Sequence, residues 1–329
     1  MKNNRSYIIK NVVKKNKQIY FIAKKSRNIY RAQSANIIKY YVNKTDLISK
    51  KKYDLQIEPT LISIKRDDNI KTAVVIHLFY TESWDLFVNR LKCLNNSFDI
   101  FITIPKQNTH FKETIKKTFP SAYIFIVPNR GRDVLPFMKI ISTIYSRGYQ
   151  NILKIHSKKS KHRTDGNEWL SDMVDKLLPK SQETTNKLIR ILDDPLTGII
   201  GPQKHYMSLL VNFRQNWHHS GNIIARVYTK KLSRQMKKDK KKYGFFAGTM
   251  FWARVDALKS IIAEEFDVNN FEKEHGQIDC TFAHALERVF CLVPELEGRR
   301  MYEVNKEGSI KQIEYATNNI PEWSDLYNK

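Results

Sequence analysis

The sequence predicts an α/β fold built on a mostly parallel sheet, with helices on both faces and a basic helical arm at the N-terminus. Between Lys71 and His156, short apolar segments rich in β-branched residues alternate with longer segments of helical periodicity. Because each helix carries the chain back across the sheet, strands joined in this way run parallel. The first 55 residues lack this alternation and carry lysines between apolar residues at helical spacing.

The alternating pattern predicts each element in turn. Strands are expected at residues 72–79, 100–104, 122–127 and 151–156, and helices at 84–94, 111–118 and 135–146. Farther along the chain we expect helices at 169–178, 184–192, 255–262 and 278–290, a strand at 198–201 and an apolar stretch at 245–253. Ligands of such sheets bind beyond the carboxyl ends of the strands, here near His77, Pro105, Asn129 and His156.

The N-terminal arm holds more than half of the excess positive charge. The formal net charge is +24, and the segment up to Tyr53 has 15 Lys or Arg against the single acid Asp46. Short amphipathic helices with this charge suit an anionic lipid surface. They suit a helical hairpin docked on the main domain equally well. We therefore predict an arm at residues 1–55, a main domain at 56–300 and a C-terminal tail at 301–329.

Composition argues against several classes of protein. A hydrophobic share of 41% and only 11 Gly do not fit a collagen-like or low-complexity chain. The 3 Cys have no pattern that fits a disulfide scaffold or a zinc site, which favours a reducing cytoplasm. Lysines interrupt every early apolar stretch that could form a secretory signal, and no apolar run approaches the roughly 20 residues that span a bilayer. We expect a cytoplasmic protein whose membrane contact is peripheral.

A basic turn follows the third predicted strand and precedes a helix. It reads Asn129-Arg130-Gly131-Arg132-Asp133. Free backbone N–H groups at such a helix start favour an anion, and the two arginines add forked donors that suit a diphosphate. Asp133 suits either a helix cap or a ligand of ribose or sugar hydroxyls. A capped turn with an Arg–Asp ion pair is the structural alternative for the whole segment.

A second basic segment follows the fourth predicted strand. It contains His156, Lys158, Lys159, His162 and Asp165. Its cations follow a strand end at which a ligand would bind, and they suit phosphate. Two histidines without a cluster of carboxylates are a poor metal pattern, so no metal ligand is predicted.

The apolar stretch after Gly244 alternates small and large residues. Gly248 and Thr249 are small enough to let a ligand ring approach the backbone, and Phe251 and Trp252 can stack on a sugar face. A plain core strand has the same pattern, so both interpretations stay open.

A polar segment precedes the last predicted helix. It runs from Glu272 to Asp279 and includes Glu274 and Gln277, and His284 lies on the helix that follows. A carboxylate at a loop–helix junction can act as a general base, and it can equally cap the helix.

Together these segments resemble the rhamnan synthesis protein F family of polysaccharide glycosyltransferases. The matching blocks occur in the family's order and span about Thr72 to Val293. They are Asn129-Arg130-Gly131-Arg132-Asp133 with Pro136-Phe137, His156-Ser157-Lys158-Lys159-Ser160, the group His162, Asp165-Gly166 and Trp169, Ala247-Gly248-Thr249-Met250-Phe251-Trp252, and Gly276-Gln277-Ile278-Asp279 leading into Ala283-His284-Ala285-Leu286-Glu287-Arg288.

The resemblance implies a GT-A-type fold that transfers a sugar from a nucleotide-sugar donor, with rhamnose donors prominent, to a lipid-linked glycan. In that fold the turn after the fourth strand usually carries an acidic Asp-x-Asp metal motif. Here it reads His156-Ser157-Lys158. Cationic side chains are therefore expected to neutralise the leaving diphosphate, with no cofactor required.

The same mapping assigns roles to individual residues. Asp279 is expected to be the catalytic base, with Glu274 as its substitute and His156 beside the leaving group. The expected donor-binding residues are His77, Asn129, Arg130, Gly131, Arg132, Asp133, His156, Lys158, Lys159, His162 and Asp165. The expected wall around the sugar and the acceptor consists of Gly248, Thr249, Phe251, Trp252, Gln277 and His284.

Two other functions fit part of the sequence. The positive charge and a sequence pI near 9.8 are typical of nucleic-acid-binding proteins, but no recognition motif accompanies them, so nucleic acid is not an expected partner. A non-catalytic scaffold of a polysaccharide assembly complex would lack both donor hydrolysis and transfer. The expected partners are a nucleotide sugar, a lipid-linked acceptor of a cell-surface polysaccharide, and the anionic inner face of the cell membrane.

Overall fold

The computed structural model describes residues 64–94, 98–157, 166–209, 243–264, 266–277, 279 and 281–314. Its strands are β1 (Thr72–His77), β2 (Phe98–Pro105), β3 (Tyr123–Val127), β4 (Asn151–His156), β5 (Thr197–Pro202), β6 (Tyr206–Ser208), β7 (Gly244–Phe246), β8 (Phe251–Arg254), β9 (Arg300–Val304) and β10 (Ile310–Gln312). Its α-helices are α1 (Trp84–Leu91), α2 (Lys112–Thr118), α3 (Val134–Ser146), α4 (Gly166–Leu177), α5 (Gln182–Asp193), α6 (Lys259–Ile262) and α7 (Phe282–Leu296).

A mixed, mostly parallel sheet forms the centre of this part of the chain. Its eight strands lie in the order β10-β9-β5-β8-β4-β1-β2-β3. Strand β1 pairs in parallel with β2 and β4, β2 with β3, and β5 with β9. Strand β8 runs antiparallel to both β4 and β5, and β10 antiparallel to β9. Strands β6 and β7 form a separate antiparallel pair.

Helices cover both faces of the sheet. Successive residues of β1 point to opposite faces, so Val75 joins one hydrophobic cluster and Val74 the other. The first cluster includes residues of α3, α6 and α7, and the second includes residues of α1, α2, α4 and α5. Every residue of β1 and β4 is buried, as expected for interior strands covered on two sides.

The structure confirms the predicted α/β fold class. Strand β4 has both of its predicted ends, and the other predicted elements are present with shifted ends. The stretch at 245–253 divides into β7 and β8, with the Gly248–Thr249 turn between them. The segment at 255–262 is a short 3₁₀ turn followed by α6.

The last predicted helix begins later than expected. The sequence pattern indicates a start at residue 278, whereas α7 begins at Phe282 and continues to Leu296. Thr281 determines this start, because its hydroxyl oxygen accepts a hydrogen bond from the backbone N–H of His284 at 3.4 Å. Asp279 therefore lies in the loop before the helix.

Among the residues that the structure describes, three strands were not predicted: β6, β9 and β10. Strand β9 pairs with β5, so the sheet extends beyond residue 300. The limits proposed for the three domains remain predictions, and the N-terminal arm lies outside the described residues.

Candidate functional site

Two histidines end neighbouring strands at the carboxyl edge of the sheet. His77 of β1 is in register with His156 of β4 and, on its other side, with Thr103 of β2. The Nδ1 atom of His77 lies 2.8 Å from the hydroxyl oxygen of Thr103. Burial lowers the pKa of His77 to about 3, so this imidazole is neutral at neutral pH.

A buried carboxylate lies beside these histidines. Asp133 accepts hydrogen bonds from Lys154 Nζ at 2.5 Å and from Thr249 Oγ1 at 2.6 Å. Burial alone would raise the pKa of Asp133, but the Lys154 ammonium and its hydrogen bond hold this pKa well below its usual range. Asp133 is therefore a carboxylate at any ordinary pH.

This arrangement decides one of the alternatives left by the sequence. Asp133 immediately precedes α3, but its side chain makes no capping hydrogen bond to that helix. Its Oδ2 atom instead accepts hydrogen bonds from the buried side chains of Lys154 and Thr249. The capped-turn interpretation is wrong for Asp133, and its side chain joins the turn to the central sheet.

The two arginines of the same turn bind the segment that precedes α7. Arg130 donates from Nε to the carbonyl oxygen of Phe271 at 2.7 Å. Arg132 donates to the carbonyl oxygen of Gln277 and to Nε2 of His284, the latter at 2.8 Å, and its Nε lies 3.5 Å from the carboxylate of Glu274. Guanidinium groups thus hold the turn to the loop before α7 and to the first turn of that helix.

Gly131 allows this turn to form. Its φ is +62°, and a Cβ atom at this position would lie 2.6 Å from both the Cβ of Leu135 and the ring of Phe271. Two independent constraints, a left-handed backbone and a close approach, therefore require glycine here.

Replacing Gly131 with Ala is expected to lower the free energy of unfolding by about 2–4 kcal/mol, from left-handed strain and overpacking together. Equilibrium denaturation of the full chain measures this loss of unfolding free energy. Gly276→Ala is the matched control, because Gly276 has φ +72° but a Cβ there would meet nothing within 4 Å. We expect Gly276→Ala to lower the free energy of unfolding by about 1 kcal/mol, from strain alone. Equal losses in the two variants would contradict the close-approach argument.

The Gly248–Thr249 turn lies at the same edge. Both residues have a left-handed backbone, with φ of +96° and +52°. The carbonyl oxygen of Gly248 accepts a hydrogen bond from His156 Nε2 at 2.5 Å, which requires that this nitrogen carry a proton. The N–H of Gly248 donates to the Glu287 carboxylate at 2.7 Å.

Carboxylates of the loop and of α7 border this turn and the arginine turn. The Asp279 carboxylate lies 3.2 Å from the guanidinium of Arg288, and 14% of its side chain is exposed. Arg288 is also 3.9 Å from Glu287, which binds Gly248. Three carboxylates, Glu274, Asp279 and Glu287, therefore lie among the arginines and histidines of the edge.

A family model described as rhamnan synthesis protein F matches residues 7–298. The chain belongs to the rhamnan synthesis protein F family. This match is longer than the motif blocks seen in the sequence, which begin near Thr72, and it includes most of the basic arm. Membership of the rhamnan synthesis protein F family links the chain to polysaccharide synthesis.

Two curated relatives come from two strains of Xanthomonas campestris pv. campestris, and both are described as uncharacterized protein WxcX. Each is 30% identical to this chain over 236 residues. The alignment covers 71% of this chain and 33% of the relative. The chain thus spans about a third of the length of the curated relatives that it matches.

For this member of the rhamnan synthesis protein F family, the structure brings most of the expected site residues to one edge. The arginine turn meets the Gly248–Thr249 turn there through the bond between Asp133 and Thr249, and His156 binds Gly248 directly. His77 is in register with His156 on the neighbouring strand. Gln277 and His284 contact Arg132, and Asn129 is exposed at the start of the turn. The expected donor-binding residues Lys158, Lys159, His162 and Asp165 lie outside the described residues.

The two aromatic residues expected in the sugar wall lie in the core. Trp252 and Phe251 are at most 1% exposed, in opposite hydrophobic clusters, and the indole N–H of Trp252 donates to the carbonyl oxygen of Leu177 at 2.7 Å. Neither ring presents a face to a sugar in this structure. The expectation that they stack on a ligand is corrected to the alternative of a plain core strand.

Sequence reasoning missed two residues of the edge. Lys154 lies between apolar residues of β4. The available signal in the sequence was this single charged residue within a run that otherwise predicts a buried strand. Glu287 lies on α7, one residue before Arg288, and although it falls within a block that matches the family, the sequence assigned no role to it.

Metal-ligand clusters and membrane-spanning helices are both absent from the described ranges. There, no three His, Cys, Asp or Glu side chains converge as metal ligands would. In the same part of the chain, no helix has the length and apolar character needed to cross a membrane.

Proposed function

We propose that this chain transfers a sugar from a nucleotide-activated donor to a growing cell-surface polysaccharide, as a GT-A-like glycosyltransferase. The observation that carries the proposal is the grouping of the arginine turn, the Gly248–Thr249 turn and three carboxylates at the carboxyl edge of a mostly parallel sheet. Nucleotide ligands of such sheets bind at this edge. Family membership supports the choice of a polysaccharide as the product.

The donor diphosphate would bind where backbone N–H groups and cationic side chains meet. The arginine turn precedes α3, so the start of that helix faces the same edge and favours an anion. Arg132 is 14% exposed and is bound to two neutral acceptors and, at 3.5 Å, to the Glu274 carboxylate, so it would exchange these partners for a phosphate when the donor binds. A rhamnose donor is proposed on the family description alone.

Asp279 is the proposed general base. Its carboxylate would take the proton of the acceptor hydroxyl while that oxygen attacks the anomeric carbon and the nucleoside diphosphate leaves. Asp279 is 14% exposed in the loop before α7, which allows contact with an acceptor. Glu274 and Glu287 are the neighbouring carboxylates against which this assignment is tested.

A divalent metal is not required in this proposal, because the sequence reads His156-Ser157-Lys158 where related enzymes have an acidic pair that holds one. The test is the thermal stability of the full chain with a panel of nucleotide sugars, each measured with EDTA and with Mg²⁺ or Mn²⁺. We expect at least one nucleotide sugar to raise Tm in EDTA. Stabilisation only with added metal would contradict metal independence, and no stabilisation under any condition would contradict donor binding.

The basic arm is proposed to hold the enzyme at an anionic membrane, where a lipid-linked acceptor would be found. Each Lys or Arg near such a surface contributes on the order of 1 kcal/mol, and the arm up to Tyr53 has 15 of them. We expect the full chain to co-sediment with phosphatidylserine-containing vesicles and to detach as salt shortens the Debye length below about 8 Å. Equal sedimentation with neutral vesicles, or retention at high salt, would contradict electrostatic binding.

A further inference from the structure

Lys154 is a lysine inside the sheet. It lies on the central strand β4 and is 1% exposed. Its ammonium donates to Asp133 Oδ2 at 2.5 Å and to the carbonyl oxygen of Thr249 at 2.8 Å. The rings of Phe137 and Phe251 pack beside it, with their centroids 5.4 and 5.9 Å from Nζ. Because it is so deeply buried, this ammonium does not reach a ligand at the surface of the site.

The contacts of Lys154 join the two turns of the edge. Asp133 ends the arginine turn and Thr249 belongs to the other turn, and the Thr249 hydroxyl also donates to Asp133 at 2.6 Å. The three residues therefore form a closed triangle of hydrogen bonds. Two residues farther along β4, His156 donates to the carbonyl oxygen of Gly248 at 2.5 Å. Both turn residues are thus bound by side chains from the same face of one strand.

The backbone at Thr249 indicates what these bonds maintain. Its φ is +52°, an unfavourable value for a β-branched residue. Such a conformation persists only where the surrounding structure over-determines it. The ammonium of Lys154 and the carboxylate of Asp133 bind the carbonyl and the hydroxyl of this residue, and so supply that constraint.

We propose that Lys154 is a positioning residue that sets the spacing of the arginine turn and the Gly248–Thr249 turn, and thereby the donor-binding geometry. This role rests on the proposed function, because the donor site that it concerns is the one proposed above. An apolar side chain of similar length would fill the same space without the cost of desolvating a charge. Unlike such an apolar side chain, the buried ion pair fixes the position of the two turns relative to each other.

The decisive variant removes both charges together. Lys154→Met alone leaves the Asp133 carboxylate buried without its cation and is expected to destabilise the fold strongly. The double variant K154M/D133N contains no unpaired charge, and we expect its Tm to return to within a few degrees of wild type. Its affinity for inorganic pyrophosphate, measured by calorimetry, should remain at least about tenfold weaker. Amide hydrogen exchange at residues 131–133 and 247–249 should be faster in the double variant than in wild type.

Lys176→Met is the matched control. Lys176 is also buried, donates to an aspartate at 2.5 Å and to a carbonyl oxygen at 2.9 Å, and neither partner, Asp172 or Gln203, belongs to either turn. The Lys176→Met variant should lose stability but retain wild-type affinity for pyrophosphate and wild-type amide hydrogen exchange at both turns. Equal effects of K176M and K154M/D133N on pyrophosphate affinity would overturn the proposal.

A variant with smaller effects keeps the test open if the double variant does not fold. Thr249→Ala removes the hydroxyl bond to Asp133 and leaves both charges in place, and we expect faster exchange at residues 131–133, which this hydroxyl contacts through the Asp133 carboxylate. Wild-type exchange there would overturn the positioning role. Failure of wild-type protein to bind pyrophosphate would instead count against the proposed function, because the exchange measurements do not depend on a ligand.

Discussion

Replacing Asp279 with Asn is expected to lower sugar transfer by about 10²–10⁴-fold while donor affinity changes little, because only the proton acceptor is removed. The amide retains the shape of the side chain and can still accept a hydrogen bond from Arg288, which lies 3.2 Å from the carboxylate. Turnover at saturating donor and the dissociation constant of the donor are the two quantities to measure. Tm of the variant checks that Arg288 tolerates the loss of its charged partner.

Glu274→Gln and Glu287→Gln are the matched controls for Asp279. Glu274 lies 3.5 Å from Arg132, so its replacement should weaken donor affinity more than turnover. Glu287 binds the N–H of Gly248, and glutamine can maintain that bond through its carbonyl oxygen. Near wild-type turnover in Asp279→Asn, with a large loss in one of the two glutamine variants, would transfer the role of base to that glutamate.

Replacing Trp252 with Ala is expected to lower the free energy of unfolding by about 3–5 kcal/mol, as for other large-to-small changes in a core. The indole is fully buried in the second hydrophobic cluster, and its N–H bond to Leu177 is lost as well. Chemical denaturation of the full chain measures this effect.

Trp252→Phe separates a core role from a ligand-binding role. Phenylalanine retains much of the buried apolar area, so we expect a smaller loss of stability and wild-type donor affinity. If stability were unchanged in both variants while donor affinity fell, Trp252 would belong to a sugar wall after all.

The central elements of the fold could be predicted because they depend on local sequence patterns. Strand β4 is a short apolar run between turn signals, and both of its ends were predicted. Strand β9 was missed because it reads Arg-Met-Tyr-Glu-Val, in which charged and apolar residues are mixed, and only its pairing with β5 reveals a strand. Its stability comes from contacts distant in sequence, which no local pattern reports.

The candidate site divides in the same way. The arginine turn was identified because glycine, arginines and a helix start are adjacent in the sequence. The partners of Arg132 are about 140 to 150 positions away, at Gln277 and His284, so its use as a clamp on the loop before α7 follows only from the structure. The charge of Lys154 within an apolar strand was visible in the sequence, but its two partners lie on different turns, so its role follows only from the structure.

The most direct test of the proposed glycosyltransferase activity is a transfer assay with the full chain, a panel of nucleotide sugars and a lipid-linked acceptor, followed by mass spectrometry. We expect one donor to give an acceptor that is heavier by one sugar residue, with an equal amount of nucleoside diphosphate released. Asp279→Asn should form neither product at a comparable rate. Release of nucleoside diphosphate without a modified acceptor, or no reaction with any donor although nucleotide sugars bind, would contradict the proposal that this chain is a glycosyltransferase.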